Sequence, residues 1–540
     1  MIGFVLLACG GAAPETEVKP LPLHEQELVS LEAPRLLRRM SLDLRGVLPS
    51  VEDLNEVEAN PAALEQIWPN YLTEPNFEER LVELFAEQWL TRVDGFNVSI
   101  EDYFLASSLQ SEFVRSVGEE PMRILARVAT TDRPWTDVAT WDHTMANSML
   151  EKVWPLEREE GDGWQPARWV DGRPAAGVLS SNGLWWRYYT TPFNYNRTRA
   201  AAVSKLLLCE DYLERPVAFS SAPSILDEEG TEDAIRNVEA CKSCHSTLDP
   251  IASALFGFWW FELYDPAEME HYHPDREPMG ELELGVKPGF VGQPLQGLQD
   301  LGQAISEDPR LVECAVEQSF IAFMRRQPTL HDFGRLQRLK SAFVAGELRY
   351  LELMTALLQE PAYRIGTFSA EASSATRERE NVDRLLSPAQ WERAVEDLTG
   401  FLWTEDDWDH LRNDGFGYRV LMGGVDGDGV DSPATSLSVS MLLVIKRLAQ
   451  QAAYHVVQRD LVKDDDETLL HRDWLELSDE DDLKDAIGEL HWRLVARRAS
   501  QDDLEALMSL FWSVEAESNA ASAWQSVLTV LFRGSDFVSY

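Results

Sequence analysis

Apolar positions recur at helical spacing over most of the chain. From Glu78 to Trp89, the residues Leu81, Leu84, Phe85 and Trp89 fall on one face of a 3.6-residue period. Residues 110–130 and 134–153 continue in the same manner. Upstream, residues 34–66 hold Pro34-Arg35-Leu36-Leu37-Arg38-Arg39 and then Ser41-Leu42-Asp43-Leu44-Arg45-Gly46. Ser50 with Asp53 three residues on is a helix start, because a serine hydroxyl accepts the N–H of that position. These patterns predict an N-terminal helical domain over 23–155.

The period fades over 156–190, where Gly, Trp and Arg are frequent, so loops are expected, ending in the apolar Gly177-Val178-Leu179. A helix is expected from about Thr198 to Cys209. Leu248-Asp249-Pro250-Ile251 leads into an apolar run through Trp259, Trp260 and Phe261, and its Asp-Pro step predicts a helix end. Residues 265–295 are rich in proline and glycine and predict a long loop. A helical pair near 308–326 and 335–359 completes a segment spanning 156–365.

Residues 366–381 are small and polar, the pattern of a linker. Ser387-Pro388-Ala389-Gln390 then combines a cap, a proline at the first helical position and a glutamine at the third. Helical patterns over 433–461, 480–498, 501–516 and 519–533 fill a C-terminal domain over 382–540. Strand-like alternation is nearly absent. The expected fold class is mainly α: multi-helix modules with long loops.

A faint echo runs through this pattern. Leu72-Thr73-Glu74-Pro75-Asn76-Phe77, Leu358-Gln359-Glu360-Pro361-Ala362-Tyr363 and Leu531-Phe532-Arg533-Gly534-Ser535-Asp536-Phe537 each pass from a leucine through a turn to an aromatic. Common helix-end chemistry and internal duplication both account for it.

At 540 residues the chain is long enough for roughly two to four domains with real cores. Its 48 Lys+Arg stand against 92 Asp+Glu, a net charge of −44. Such a surface repels nucleic acid and anionic lipid, which excludes DNA, RNA and peripheral membrane binding, and suits solubility, a high-salt medium or a basic partner protein without choosing among them. No apolar run outside the N-terminus is long enough to span a bilayer. At the N-terminus, Leu6-Leu7-Ala8-Cys9 resembles a bacterial lipobox, in which the cysteine is acylated, although the segment before it is short and lacks a basic region. Residues 1–22 are thus expected to be a signal remnant and tether, anchored at Cys9 to the outer membrane and facing the periplasm or the cell surface.

One motif carries chemistry. Cys241-Lys242-Ser243-Cys244-His245 has the C-x-x-C-H spacing of a covalent c-type haem site. Each thiol adds across one haem vinyl group, and the adjacent imidazole becomes the proximal iron ligand. Thr231 is the expected N-cap of a helix running into the motif, which would put Cys241 and Cys244 on one face. A structural zinc site needs a fourth ligand and usually a second close cysteine pair, and neither Cys209 nor Cys314 has one. One covalent haem c is the expected cofactor. Trp259 and Trp260 are candidates for its wall. The sixth iron position is open: Met279, in Glu277-Pro278-Met279-Gly280, and His271 or His273 lie on the loop within reach, with a five-coordinate iron or His143 as alternatives. Cys209 and Cys314 flank the haem segment and are expected either to form a disulfide or to remain two buried thiols.

These residues resemble a family: the large haem-associated proteins of planctomycetes, myxobacteria and relatives. Arg38 to Gly46 is similar to their N-terminal module, and Asp132-Arg133-Pro134-Trp135-Thr136-Asp137 to the segment before their haem domain. Gly177-Val178-Leu179, Leu207-Leu208-Cys209 and Cys244-His245 through Asp249-Pro250-Ile251 are similar to that domain itself. Leu311-Val312-Glu313-Cys314 with Phe323 to Arg326, Leu386 to Gly400 and Gly423-Gly424-Val425-Asp426 resemble further modules. The resemblance implies a mostly helical, extracytoplasmic haem protein and assigns no reaction. Three functions therefore stand at this point: electron transfer within a larger assembly, a haem enzyme of oxidase or peroxidase type, and a structural subunit of a surface complex. Asp426 to Asp431 alternates carboxylates as a calcium loop does, and a solvated acidic turn explains it more simply.

Overall fold

The structure is a computed structural model that describes residues 27–215, 228–405, 408–413, 417–427, 429–462, 468–477 and 479–540. Helix makes up 62% and strand 6%, so the fold is mainly α. Helix α1 (Ala33–Arg45) opens with Pro34 in its first turn and closes on Gly46, whose φ of 73° suits a residue without Cβ. Four residues on, Ser50 accepts the Asp53 N–H and starts α2 (Val51–Ala59). Then follow α3 (Leu64–Tyr71) and α4 (Pro75–Trp89), the latter with Leu81, Leu84, Phe85 and Trp89 buried on the expected face.

Helix α5 (Gln110–Thr130) is the longest element of this half and is buried along most of its length. The helix expected over 134–153 does not form. Trp135–Ala139 is a short 3-10 turn, Thr144–Ala146 is a strand, and only Leu150–Val153 (α6) is helical. The strand pairs with Gln165–Trp169, which also pairs with Leu156–Arg158, so the expected loops of 156–190 supply two strands of a three-stranded antiparallel sheet. Asn147 restarts the helix by accepting the N–H groups of Met149 and Leu150. After α7 (Asn182–Arg187) and α8 (Arg197–Leu208) come α9 (Glu228–Asn237) and α10 (Glu239–Ser253). Thr231 lies inside α9 and is not an N-cap, and the break falls at Val238, which has extended backbone angles. Nor does Asp249-Pro250 end the helix, for α10 continues to Ser253. The loop expected over 265–295 contains α11 (Pro266–Met269), α12 (Met279–Leu284) and a small hairpin, Gly289–Phe290 with Gln293–Pro294.

Beyond α13 (Leu298–Glu307), the order of α1 to α4 recurs. Helix α14 (Pro309–Met324) closes on Arg325 at φ 54°, and four residues later Thr329 and Asp332 form a capping box. Helices α15 (Phe333–Ala345), α16 (Tyr350–Gln359) and α17 (Pro361–Arg364) follow, the break between the first two lying at Gly346 and the left-handed Glu347 and Leu348. Helix α18 (Ser374–Arg379) lies within the expected linker 366–381, which is therefore no plain tether: Glu380 pairs with both Arg326 and Arg335. Helices α19 (Pro388–Thr399), α20 (Tyr418–Leu421) and α21 (Val439–Asp460) lead to a third recurrence. There α22 (Glu480–Val495) closes on Ala496 at φ 54°, and Ser500 with Asp503 forms a capping box for α23 (Gln501–Glu517). Then come α24 (Ala520–Arg533) and α25 (Ser535–Val538). The three sequence echoes are the junctions α3–α4, α16–α17 and α24–α25, each at the same place in its four-helix run. Shared order, a left-handed stop and a cap four residues on exceed what common helix-end chemistry supplies, and we read the runs as one module used three times.

Buried apolar residues form two cores. One runs from Leu36 to Tyr363 and takes in Trp492 and Ala496 from the C-terminal part, so the expected boundary at residue 155 is not a boundary between cores. The other spans Leu386 to Tyr540 and takes in Leu42 and Leu48 from the first run. Helix α1 joins them with buried polar side chains: Arg38 donates to the carbonyls of Leu494, Phe537 and Ser539, and Arg39 to those of Tyr363, Ile365, Val382 and Tyr540. Strand Leu28–Ser30 also pairs antiparallel with Ile365–Phe368. Among the described residues no helix is long and apolar enough to cross a membrane.

Inside the first core, Gly183 of α7 packs against α5, where a Cβ would fall 2.0 Å from the Val117 carbonyl oxygen. Its N–H donates to Glu120, which also accepts from the Thr144 hydroxyl. Burial pushes the Glu120 carboxyl up to about 7 from 4.5, against the pull of these hydrogen bonds. An acid with a raised folded-state value loses stability as pH climbs from its unfolded value through its folded one. Glu120→Gln keeps the shape and removes the ionisation. Its stability relative to the parent is expected to rise by about 3 kcal/mol between pH 4.5 and pH 8, at about 1.4 kcal/mol per pH unit. Urea midpoints of both proteins across that range check this, and parallel curves would refute it.

Candidate haem site

The motif sits in the first half of α10. Glu239 places a carboxylate in the first turn, favourable to the helix dipole, and Leu248, Ile251 and Ala252 bury the far half against the first core. Cys241 and Cys244 are half-buried free thiols, and Cys244 also touches that core. Three positions apart, they share a helix face.

His245 is held from behind. Its Nδ1 lies 2.9 Å from Oδ1 of Asp249, one turn further along α10. Asp249 in turn receives a two-pronged contact from Arg197 at the start of α8: Nε to Oδ1 at 2.9 Å and a terminal nitrogen to Oδ2 at 3.1 Å. Burial alone would raise the Asp249 carboxyl, but hydrogen bonds from His245 and Arg197 outweigh it and hold the group below the usual carboxylate range. An ionised carboxylate only accepts, so Nδ1 carries a proton, and in the neutral imidazole Nε2 is then the nitrogen with the lone pair. Nε2 has no hydrogen-bond partner among the described residues. The donor set fits a haem: two unpaired thiols on one face and, beside them, an imidazole with a free basic nitrogen.

The other sequence candidates fare unevenly. Trp259 is stacked between Tyr195 and Phe256, with ring centroids 5.7 and 5.3 Å away. Trp260 lies deeper, with Arg199 over its ring and its Nε1 donating to the His271 carbonyl. Both are core residues in this structure, only 6% and 2% exposed, rather than an open wall. Nδ1 of His271 lies 3.3 Å from a Glu270 carboxylate oxygen without a hydrogen bond, and Nε2 of His273 meets the Glu268 carbonyl oxygen. Met279 starts α12, where Gly280 packs directly on Ser253, at the opposite end of α10 from the motif. No hydrogen bond or ion pair joins His271 or His273 to the motif among the described residues. His143 is held by Asp142.

Cys209 and Cys314 form a disulfide between the end of α8 and α14, with Cα atoms 5.1 Å apart. Asp426 accepts the N–H groups of Gly429 and Val430, an acidic turn, and among the described residues no group of three or more His, Cys, Asp or Glu is placed to hold a metal ion. Asp428, at the centre of that expected calcium loop, and Cys9 lie outside the described residues. Between the two cores a cavity of about 480 Å³ includes Asp94, Trp186, Arg187 and Arg419 in its lining, which contains none of the motif residues.

Sequence reasoning missed Arg197 and misread Asp249. The spacing of Asp249, four residues after His245, was the available signal for a side-chain pair on one helix face. Arg197 is 52 residues from Asp249 and gave no local signal. No family model, curated protein or solved structure matches the chain.

Proposed function

We propose that the protein is an extracytoplasmic, c-type cytochrome-like protein with one covalent haem, passing electrons within a larger assembly. The observation that carries this reading is the C-x-x-C-H motif with both thiols free and its imidazole oriented by Asp249. Cys241 and Cys244 would hold the haem, each S–H adding across a vinyl C=C with no oxidant required, and His245 would ligate through Nε2. The haem, when bound, supplies one-electron redox chemistry. The disulfide at Cys209–Cys314 supports an oxidising compartment, in line with a lipid anchor at Cys9. The net charge of −44 suits a basic redox partner or neighbouring subunit. A single haem in so long a chain favours docking within an assembly over free shuttling, since about a hundred residues make a domain.

Mass spectrometry of the denatured protein, expressed with a working maturation system, is expected to show one added haem mass, lost in Cys241→Ser/Cys244→Ser. An unmodified parent chain would overturn the proposal. A second reading, a haem enzyme with an open distal side, draws on the loop geometry, because Nε2 of His273 is engaged by the Glu268 carbonyl within its own loop. Ready binding of carbon monoxide by the reduced protein would move that reading ahead.

A further inference from the structure

The Arg197–Asp249–His245 chain does more than join two helices. Asp249 is 6% exposed, although carboxylates are seldom buried unless paired, and its two oxygens are committed to Arg197 and His245. The elements come from distant parts of the sequence: Arg197 begins α8, and Asp249 and His245 share one face of α10. Tyr195, two residues before Arg197, is stacked on Trp259, which anchors that end of α8 beside α10. The guanidinium fork matches a carboxylate in one plane, so Asp249 has little freedom to turn away from His245.

Resting on the cytochrome reading above, we propose that Asp249, clamped by Arg197, is a positioning residue that fixes the His245 tautomer and makes its imidazole a strong donor, setting a low haem potential. The argument is chemical. A metal-bound imidazole that donates its other N–H to a carboxylate is more basic than one that donates to a neutral acceptor. A more basic axial ligand favours ferric over ferrous iron, because the ferric ion carries the greater charge. The buried setting makes this stronger than the same pair in water. Arg197 holds the carboxylate in place against His245, so the orientation of the imidazole is built into the fold.

Spectroelectrochemical titration of the purified holoprotein tests the proposal. At the parent's midpoint, Asp249→Asn is expected to hold at least a tenfold higher ratio of reduced to oxidised haem, about 59 mV for one electron. Asp249→Glu, which keeps the anion, is expected to stay within about threefold of the parent. Electron paramagnetic resonance of the oxidised haem should shift in the asparagine variant, a change that a purely structural tie would not produce. Should Asp249→Asn not accumulate, Asp249→Ser reads the same loss of the anion. Haem-bearing neutral variants with an unmoved midpoint overturn this inference alone. A parent protein without haem overturns it together with the cytochrome reading.

Discussion

Serine at both Cys209 and Cys314 is expected to lower the stability of the protein by about 4.7 kcal/mol, the chain-entropy value for a closed loop of about a hundred residues. The bridge spans a sequence separation of 105 residues and encloses α9, α10 and the motif. Without it, the unfolded chain regains the freedom of that whole loop, while the folded state loses little, because Leu206, Leu207 and Leu208 of α8 and Leu311, Ala315 and Val316 of α14 stay buried around the site. The midpoint of urea unfolding in the doubly substituted protein measures the effect. Dithiothreitol should produce the same loss in the parent and none in the variant. A variant within about 1 kcal/mol of the parent would show that packing of α8 on α14 already restricts the unfolded chain as the bridge does.

What the sequence made legible was local. The Ser50–Asp53 cap, the proline of α1 and the Ser387–Gln390 capping box appear in the structure as the residues imply, because each depends only on neighbours three or four positions apart. The same holds for Cys241, Cys244 and His245, whose spacing defines their relation on any helix. The failures are non-local. Residues 134–153 carry apolar residues at helical spacing, yet Thr144–Ala146 pairs with Gln165–Trp169, and no periodicity within one segment announces its partner in another. Trp259 and Trp260 look like a cofactor wall in one dimension, but Tyr195, Phe256 and Arg199 occupy their faces in three. Asp249-Pro250 has the signature of a turn, and the helix continues because Asp249 finds its hydrogen bonds in His245 and Arg197 rather than in the backbone. The threefold module was visible only as three short echoes, since left-handed stops at Gly46, Arg325 and Ala496 share a conformation and not a residue type.

Asp43→Ala is expected to destabilise the protein by about 3–5 kcal/mol and to uncouple its two cores, the cost of leaving buried charge unpaired. Asp43 lies on α1 at 2% exposure and accepts from Tyr363 at 3.0 Å, Tyr540 at 2.5 Å and Arg384 at 3.3 Å. Tyr363 lies in the last helix of the second module and Tyr540 follows the last helix of the third, so one carboxylate of the first module joins all three. Burial raises the Tyr363 and Tyr540 hydroxyls, and the Asp43 charge adds to it, which keeps both protonated as donors. Alanine leaves the two hydroxyls without their acceptor, and the Arg384 guanidinium, buried over the Tyr363 ring, without its counter-charge. Tyr540→Phe is the control. It removes one hydroxyl and leaves the ion pair, and is expected to cost about 1 kcal/mol. Thermal unfolding separates the outcomes: the parent and Tyr540→Phe should melt in one transition, whereas Asp43→Ala should melt in two. The core of α19 and α21 to α25 has Leu42 and Leu48 as its only buried apolar residues from α1 and the loop after it, and should melt first. A single unshifted transition in Asp43→Ala would mean that the backbone hydrogen bonds of Arg38 and Arg39 hold the modules together without the carboxylate.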